Sequence, residues 1–182
     1  MFITAVHGET LVKALTVNNI PLELVRCPAT LWCGTAGYAS EGADEPDIGA
    51  LLEKYQSLCG IPKQEVALDD WSCCISINYW QEGAAPRGIF FGQQVLSTQQ
   101  DARHDVYTMP ESLYLRAAGN VAVAQAAFGR ESCELYEIFG AIKDVMGKAG
   151  YVIGTNGAQE IELYNHGAGL SYAYVQVIPT AQ

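Results

Sequence analysis

The sequence predicts an α+β fold: a duplicated strand-helix-strand-strand repeat giving two helix-backed antiparallel sheets around a central groove, with pseudo-twofold symmetry. Three observations predict it. The decapeptide PATLWCGTAG at 28–37 returns as PESLYLRAAG at 110–119, with Pro28/Pro110, Leu31/Leu113, Ala36/Ala118 and Gly37/Gly119 in common. Each copy is followed by an apolar stripe, Ile48, Leu51, Leu52, Tyr55, Leu58 and Cys59, then Leu135, Ile138, Phe139, Ile142, Val145 and Met146. The two stripes share one spacing, that of a single helix face. Much of what remains alternates with period two, as strands do. Neither repeat, about 22–109 or about 110–182, buries its own faces well, so the two close as a single domain over 1–182.

Residues up to about Pro21 lack a clear period and form an irregular lead-in or an edge strand; His7 is a surface residue. Residues 22–38 read as one long strand bent at Pro28, which cannot donate to a ladder. Leu31, Cys33 and Thr35 take one face, Trp32 and Gly34 the other. Asp44, Glu45, Pro46 and Asp47 suit the start of the first helix, which ends at Gly60. Residues 69–80 resume period two, and Cys73, Ile75, Ile77 and Tyr79 should meet the helix. QEGAAPRG at 81–88 is a turn, and 89–96 the next strand, with Gly92 marking a bulge or close backbone approach.

In the second repeat Leu113 and Leu115 fall on the side of Leu31, with Tyr114 and Arg116 on the side of Trp32. After a linker, Ser132 caps a helix that runs to Gly147 or Gly150. Ile161 and Leu163 then point toward that helix and Glu160, Glu162 and Tyr164 away from it, before a last strand at 171–178.

With 182 residues, 49% of them hydrophobic, the chain can bury a core without staples or metal. A net charge of −10 with ten Lys and Arg argues against nucleic acid and favours neutral or cationic ligands. The first seventeen residues fit neither a secretion signal nor a membrane helix, so the expected location is cytoplasmic, with no membrane partner. Six cysteines with no C-x-x-C pair and no His at zinc-ligand spacing read as reduced core thiols, with no metal site.

The face of each sheet away from its helix carries Trp32, Ser76, Asn78 and Trp80 in one repeat and Tyr114, Arg116, Glu160, Glu162 and Tyr164 in the other. Opposed, these faces make an aromatic groove with a carboxylate, suited to an organic cation. Glu162 takes up a proton, meets a cation or stays wet; in the structural alternative Arg116 pairs with it. Glu160 is the rim acid, and His104 and His166 are exposed. No nucleophile motif or glycine-rich phosphate loop is present, so spacing alone gives no reaction.

The strand-helix-strand layout, GIFFGQQV at 88–95, TMPESLYLRAAG at 108–119, ELY at 162–164 and the terminal VQVIP resemble the GyrI-like domain, the effector-binding half of AraC-type and MerR-type multidrug-responsive regulators. The resemblance spans about residues 20–180. It implies a groove for hydrophobic, often cationic compounds, the family's pocket glutamate falling on Glu162 and looser aromatic wall positions on Trp32, Trp80 and Tyr114. With no helix-turn-helix before residue 20, the domain is expected to stand alone, as a sensor or sequestering protein without its own DNA-binding part. Asn78 and Tyr164 complete the candidate ligand-binding set. Stand-alone relatives imply two alternatives. One is a hydrolase that opens cyclopropane rings of DNA-alkylating natural products, with Glu162 as general acid or base. The other is a gyrase-inhibitor-like factor that binds a protein partner. No cofactor is expected: a related duplicated family binds haem, but no axial ligand is indicated here.

Overall fold

A computed structural model describes residues 1–80 and 85–181. The strands are β1 (Thr10–Val17), β2 (Ile20–Cys27), β3 (Thr30–Tyr38), β4 (Trp71–Ile77), β5 (Gly88–Val95), β6 (Asp105–Met109), β7 (Ser112–Ala118), β8 (Tyr151–Ile153), β9 (Ala158–Asn165) and β10 (Leu170–Pro179). The helices are α1 (Ile48–Ser57), α2 (Val121–Phe128) and α3 (Leu135–Met146). The expected turn at 81–88 lies partly outside the described residues, which omit 81–84.

One ten-stranded sheet stands where two were expected, in the order β1, β2, β7, β10, β9, β4, β5, β3, β6, with β8 on β10. The long strand expected at 22–38 is two strands. Pro28 and Ala29 separate them, and β2 pairs with β7 while β3 pairs with β5 and β6. In a flat sheet β2 and β3 would lie about 29 Å apart, six steps of ~4.8 Å. The link from Cys27 to Thr30 spans at most about 11 Å, and the same holds for β6 and β7, joined through Pro110 and Glu111. The sheet is therefore rolled, and it has an inner and an outer face.

The inner face holds one core: Trp32, Cys73, Ile75, Phe90, Tyr114, Ile161, Leu163 and Tyr174, closed by Ala5 and Val6 of the lead-in. Direct pairing runs a single row across it, from Glu23 through Arg116, Tyr174, Ile161 and Ile75 to Phe90. The outer face holds a second core, in which α3 buries Leu135, Ile138, Phe139, Ile142 and Val145 against Leu115, Ala173, Val175 and Val177. Leu113 and Leu115 thus meet the helix and Tyr114 turns away, as alternation on this strand predicted. On β4 and β9 the expectation was inverted. Cys73, Ile75, Ile161 and Leu163 point into the roll, and Cys74, Ser76, Glu160 and Glu162 face the helices. On these two strands the inner face is sealed while the outer face borders an open groove, so the apolar side chains turn inward.

Local chemistry fixes the helices. Asp47 caps α1, its carboxylate accepting from the Ala50 N–H at 3.0 Å. Asp47→Ala should cost about 1 kcal/mol of stability, read by urea denaturation; no loss would mean the cap is frayed in solution. Helix α3 begins two residues after the expected Ser132: Glu134 is its N-cap, and the Glu137 carboxylate accepts from the Glu134 N–H at 2.8 Å. Helix α2, in the expected linker, is capped by Asn120 and ends at Gly129 in the left-handed region, φ 68°. Gly34 and Gly92 are paired so closely that a Cβ on Gly34 would lie 1.9 Å from the Phe91 carbonyl oxygen. That is the close approach expected at Gly92.

Candidate functional site

Helices α1 and α3 both lie on the outer face of the sheet and leave between them an open groove of about 490 Å³. Its floor is Cys74 and Ser76 of β4, Ile89 of β5 and Glu160 and Glu162 of β9. Its walls are Ile48 of α1 and Tyr136, Glu137, Phe139, Gly140 and Lys143 of α3. Ile48 and Tyr136 are exposed, 46% and 63%.

Three carboxylates line the groove, and their pairing decides its character. Glu137 accepts from Arg130 at 2.5 Å. Glu160, expected at the rim, is 8% exposed and accepts from the Lys143 ammonium at 2.6 Å. Lys143 in turn stands 4.3 Å over the Trp80 ring. Among the described residues Glu162 has no cationic partner. Its carboxylate accepts from the Tyr164 hydroxyl, two residues along the same strand face. Burial lifts its pKa above the usual carboxylate range, against the Tyr164 hydrogen bond and with help from neighbouring Glu160. Opposite it on β4, burial and the Glu162 charge push the Cys74 thiol up to about 12, leaving it protonated and unreactive at neutral pH.

Of the residues singled out in the sequence, Glu162 and Tyr164 meet on the floor, and Trp80 reaches the site through Lys143. The Trp80 backbone N–H donates to the Gln159 side-chain oxygen at 2.7 Å, which anchors the chain there. Trp32 and Tyr114 lie in the inner core, 1% and 0% exposed, on the other side of the sheet from Glu162. Asn78 follows the end of β4 with φ 61° and donates to the Pro86 carbonyl at 3.3 Å, away from the groove lining. The expected alternative of Arg116 against Glu162 is corrected: Arg116 lies inside the roll, bound to Glu9 at 2.9 Å and Glu23 at 2.7 Å. His104 is buried rather than exposed, its Nε2 3.1 Å from the Ile61 carbonyl, whereas His166 is exposed and joined to Ser72 at 2.7 Å. The cysteines are free, but Cys59 is exposed and Cys74 and Cys133 are half-buried.

Lys143 and Tyr136 were not picked out as ligand contacts, whereas Ser76 was placed on the groove face. The signal for Lys143 was present: it lies one residue beyond Ile142 of the helical stripe, at the edge of its buried face. A larger cavity of 580 Å³ opens between the β1 and β2 hairpin, β7 and α2; there the Glu23 carboxylate accepts from Arg116, which it shares with the buried Glu9. No group of three potential metal ligands occurs among the described residues, and none of their helices is long and apolar enough to cross a membrane.

No family model matches the chain, and no curated protein is similar to it at a significant level. Solved structures are similar. A putative bacterial transcription regulation protein from Staphylococcus aureus MU50 superposes with a TM-score of 0.56 at 14% identity, covering 87% of this chain and 98% of that one. The EcmrR C-terminal domain gives 0.54 at 10% identity, with 87% and 98% covered. SAV2435, solved bound to tetraphenylphosphonium, gives 0.50 at 15% identity, with 86% and 93% covered. The chain has the fold of the GyrI-like effector-binding domains.

Proposed function

We propose that the groove between α1 and α3 binds lipophilic organic cations, with Glu162 as counter-charge and Tyr136, Phe139 and Ile48 as the apolar walls. The observation that carries this is the pairing of the carboxylates: Glu137 and Glu160 have cations of their own and Glu162 has none among the described residues. An unpaired, half-buried carboxylate is costly. A weakly hydrated organic cation recovers that cost, where a metal or ammonium ion would first have to shed its water. The tetraphenylphosphonium complex of SAV2435, a chain of the same fold, supports the reading. Trp80 borders the site and Trp32 and Trp71 are buried, so tryptophan fluorescence reports on the groove. Tetraphenylphosphonium should quench saturably and bind at least about tenfold more tightly than neutral triphenylphosphine oxide. Equal binding of the two overturns the proposal.

The raised pKa of Glu162 gives the reading a pH signature. Only the ionised carboxylate attracts a cation, so affinity is full above that pKa and falls as pH drops through it. The fall should begin above the usual carboxylate range, and a profile flat down to the ordinary carboxylate pKa would assign the counter-charge elsewhere.

A hydrolase is the second reading, favoured by the same raised pKa and the Tyr164 hydrogen bond, which suit a carboxyl that gives and retakes a proton. The acid would protonate a carbonyl oxygen conjugated to a cyclopropane as the ring C–C bond opens. Water would add to the ring carbon and return a proton to the carboxylate. Recovery of such a substrate with one water added, abolished in Glu162→Gln, is the distinguishing result; unchanged mass leaves binding alone.

We also infer that the halves 22–109 and 110–182 arose by duplication within a single domain over 1–182. The strand order supports this: outward from the β4 and β9 pairing it reads β4, β5, β3, β6 one way and β9, β10, β7, β2 the other. Gly37 and Gly119, equivalent in the two decapeptides, each lie against a helix leucine, Leu51 and Leu135, at 3.0 Å from a Cβ placed there.

A further inference from the structure

We propose that Lys143 sets the charge the groove will accept, making it select singly charged over doubly charged organic cations. The inference rests on the cation-binding reading above. Glu160 and Glu162 stand two residues apart on the same face of β9, about 6.6 Å along the strand. Two such carboxylates would suit a dication whose charges are a similar distance apart. Lys143 removes one of them: its ammonium is 2.6 Å from Glu160 and 4.3 Å from the centre of the Trp80 ring, a built-in cation held by a carboxylate and an aromatic face. Both partners are largely covered, with side-chain exposures of 25% for Lys143 and 10% for Glu160, so water screens the pair weakly. Of the three carboxylates in the groove lining, Glu137 and Glu160 have cations of their own, Arg130 and Lys143, and Glu162 has none among the described residues; Glu134 at the start of α3 adds a weaker negative field from outside the lining. One negative charge is left over, and a monocation neutralises it. A dication would bury a second positive charge beside Lys143.

The test uses a matched pair of probes, butyl(dimethyl)phenylammonium and the dication in which a four-carbon chain joins two dimethylphenylammonium groups. Each is titrated calorimetrically into the wild type, Lys143→Met, Glu160→Gln and the double variant, with circular dichroism to check folding. The wild type should favour the monocation. Lys143→Met frees Glu160 and should move the affinity ratio toward the dication by about tenfold or more. Glu160→Gln leaves Lys143 and Glu162 to cancel, and monocation affinity should fall by about tenfold. The double variant restores a single negative charge and should restore the wild-type ratio. A structural role for Lys143 would weaken both probes alike and would not be reversed by the second substitution. Monocation binding to the wild type with an unchanged ratio in Lys143→Met overturns this inference alone. Should that variant fail to fold, an unchanged monocation affinity in Glu160→Gln overturns it instead. Absence of binding of either probe to the wild type overturns the cation reading together with it.

Discussion

Arg116→Met is expected to lose about 3–5 kcal/mol of folding stability. The Arg116 guanidinium has no exposed side-chain surface and each of its three nitrogens is engaged: it donates to Glu9 at 2.9 Å, to Glu23 at 2.7 Å, to the Tyr174 hydroxyl at 2.8 Å and to the Ile3 carbonyl at 2.8 Å. It also lies 4.4 Å from the ring centres of both Phe2 and Tyr172. Burial alone would lower its pKa, but Tyr174, Glu9 and Glu23 outweigh that and hold it charged. Methionine fills similar volume but leaves Glu9 buried without its cation. Burial already lifts the Glu9 pKa, against Arg116 and the Ala5 and Val6 N–H groups, and loss of Arg116 raises it further. The sign follows. Below the wild type's Glu9 pKa the carboxyl is protonated in both proteins and the defect is small; it grows as pH rises from there and is full above the variant's higher Glu9 pKa, where the charge must be buried. Urea denaturation at acid and neutral pH reads both, and a loss below about 0.5 kcal/mol at neutral pH would mean that the ion cluster is not what ties the lead-in to the roll.

Glu162→Gln is expected to weaken binding of a lipophilic monocation by about 1–3 kcal/mol, roughly fivefold to 150-fold. Shape is conserved, and Tyr164 can donate to the amide oxygen as it does to the carboxylate. What goes is the one carboxylate that Lys143 and Arg130 leave unbalanced. Folding stability should stay level or rise at neutral pH, because a half-buried charge with a raised pKa has been removed. Weaker binding without lost stability separates a counter-charge from a structural residue. Unchanged affinity, by calorimetry, would remove Glu162 from the site.

Two of the helices were legible because helices report their own period: the two apolar stripes became α1 and α3 with their caps close to where acids cluster. Strand alternation reports which residues share a face, and it grouped Glu160, Glu162 and Tyr164 correctly. It does not report which face the helix covers. In a half-exposed sheet the apolar side meets the helix, and that rule inverted β4 and β9. Here both faces are covered, the roll's interior taking Ile75, Ile161 and Leu163 and the helices closing over Glu160 and Glu162. Trp32 and Tyr114 parted from Glu162 for the same reason. The roll itself depends on β2 pairing with β7 and β6 with β3, long-range pairings that no local pattern carries. Arg116 could not be paired from sequence because Glu9, its partner, sits in a lead-in without period, over a hundred residues away.

The claim that an unpaired Glu162 makes the groove a cation site is tested most directly by a crystal structure of the chain with tetraphenylphosphonium. The account predicts the ion between α1 and α3, its phosphorus facing the Glu162 carboxylate and its rings against Tyr136 and Phe139, with the Lys143 and Glu160 pair intact. An ion seated instead in the larger cavity by the β1 and β2 hairpin, or a groove that stays empty at saturating ligand, would contradict it.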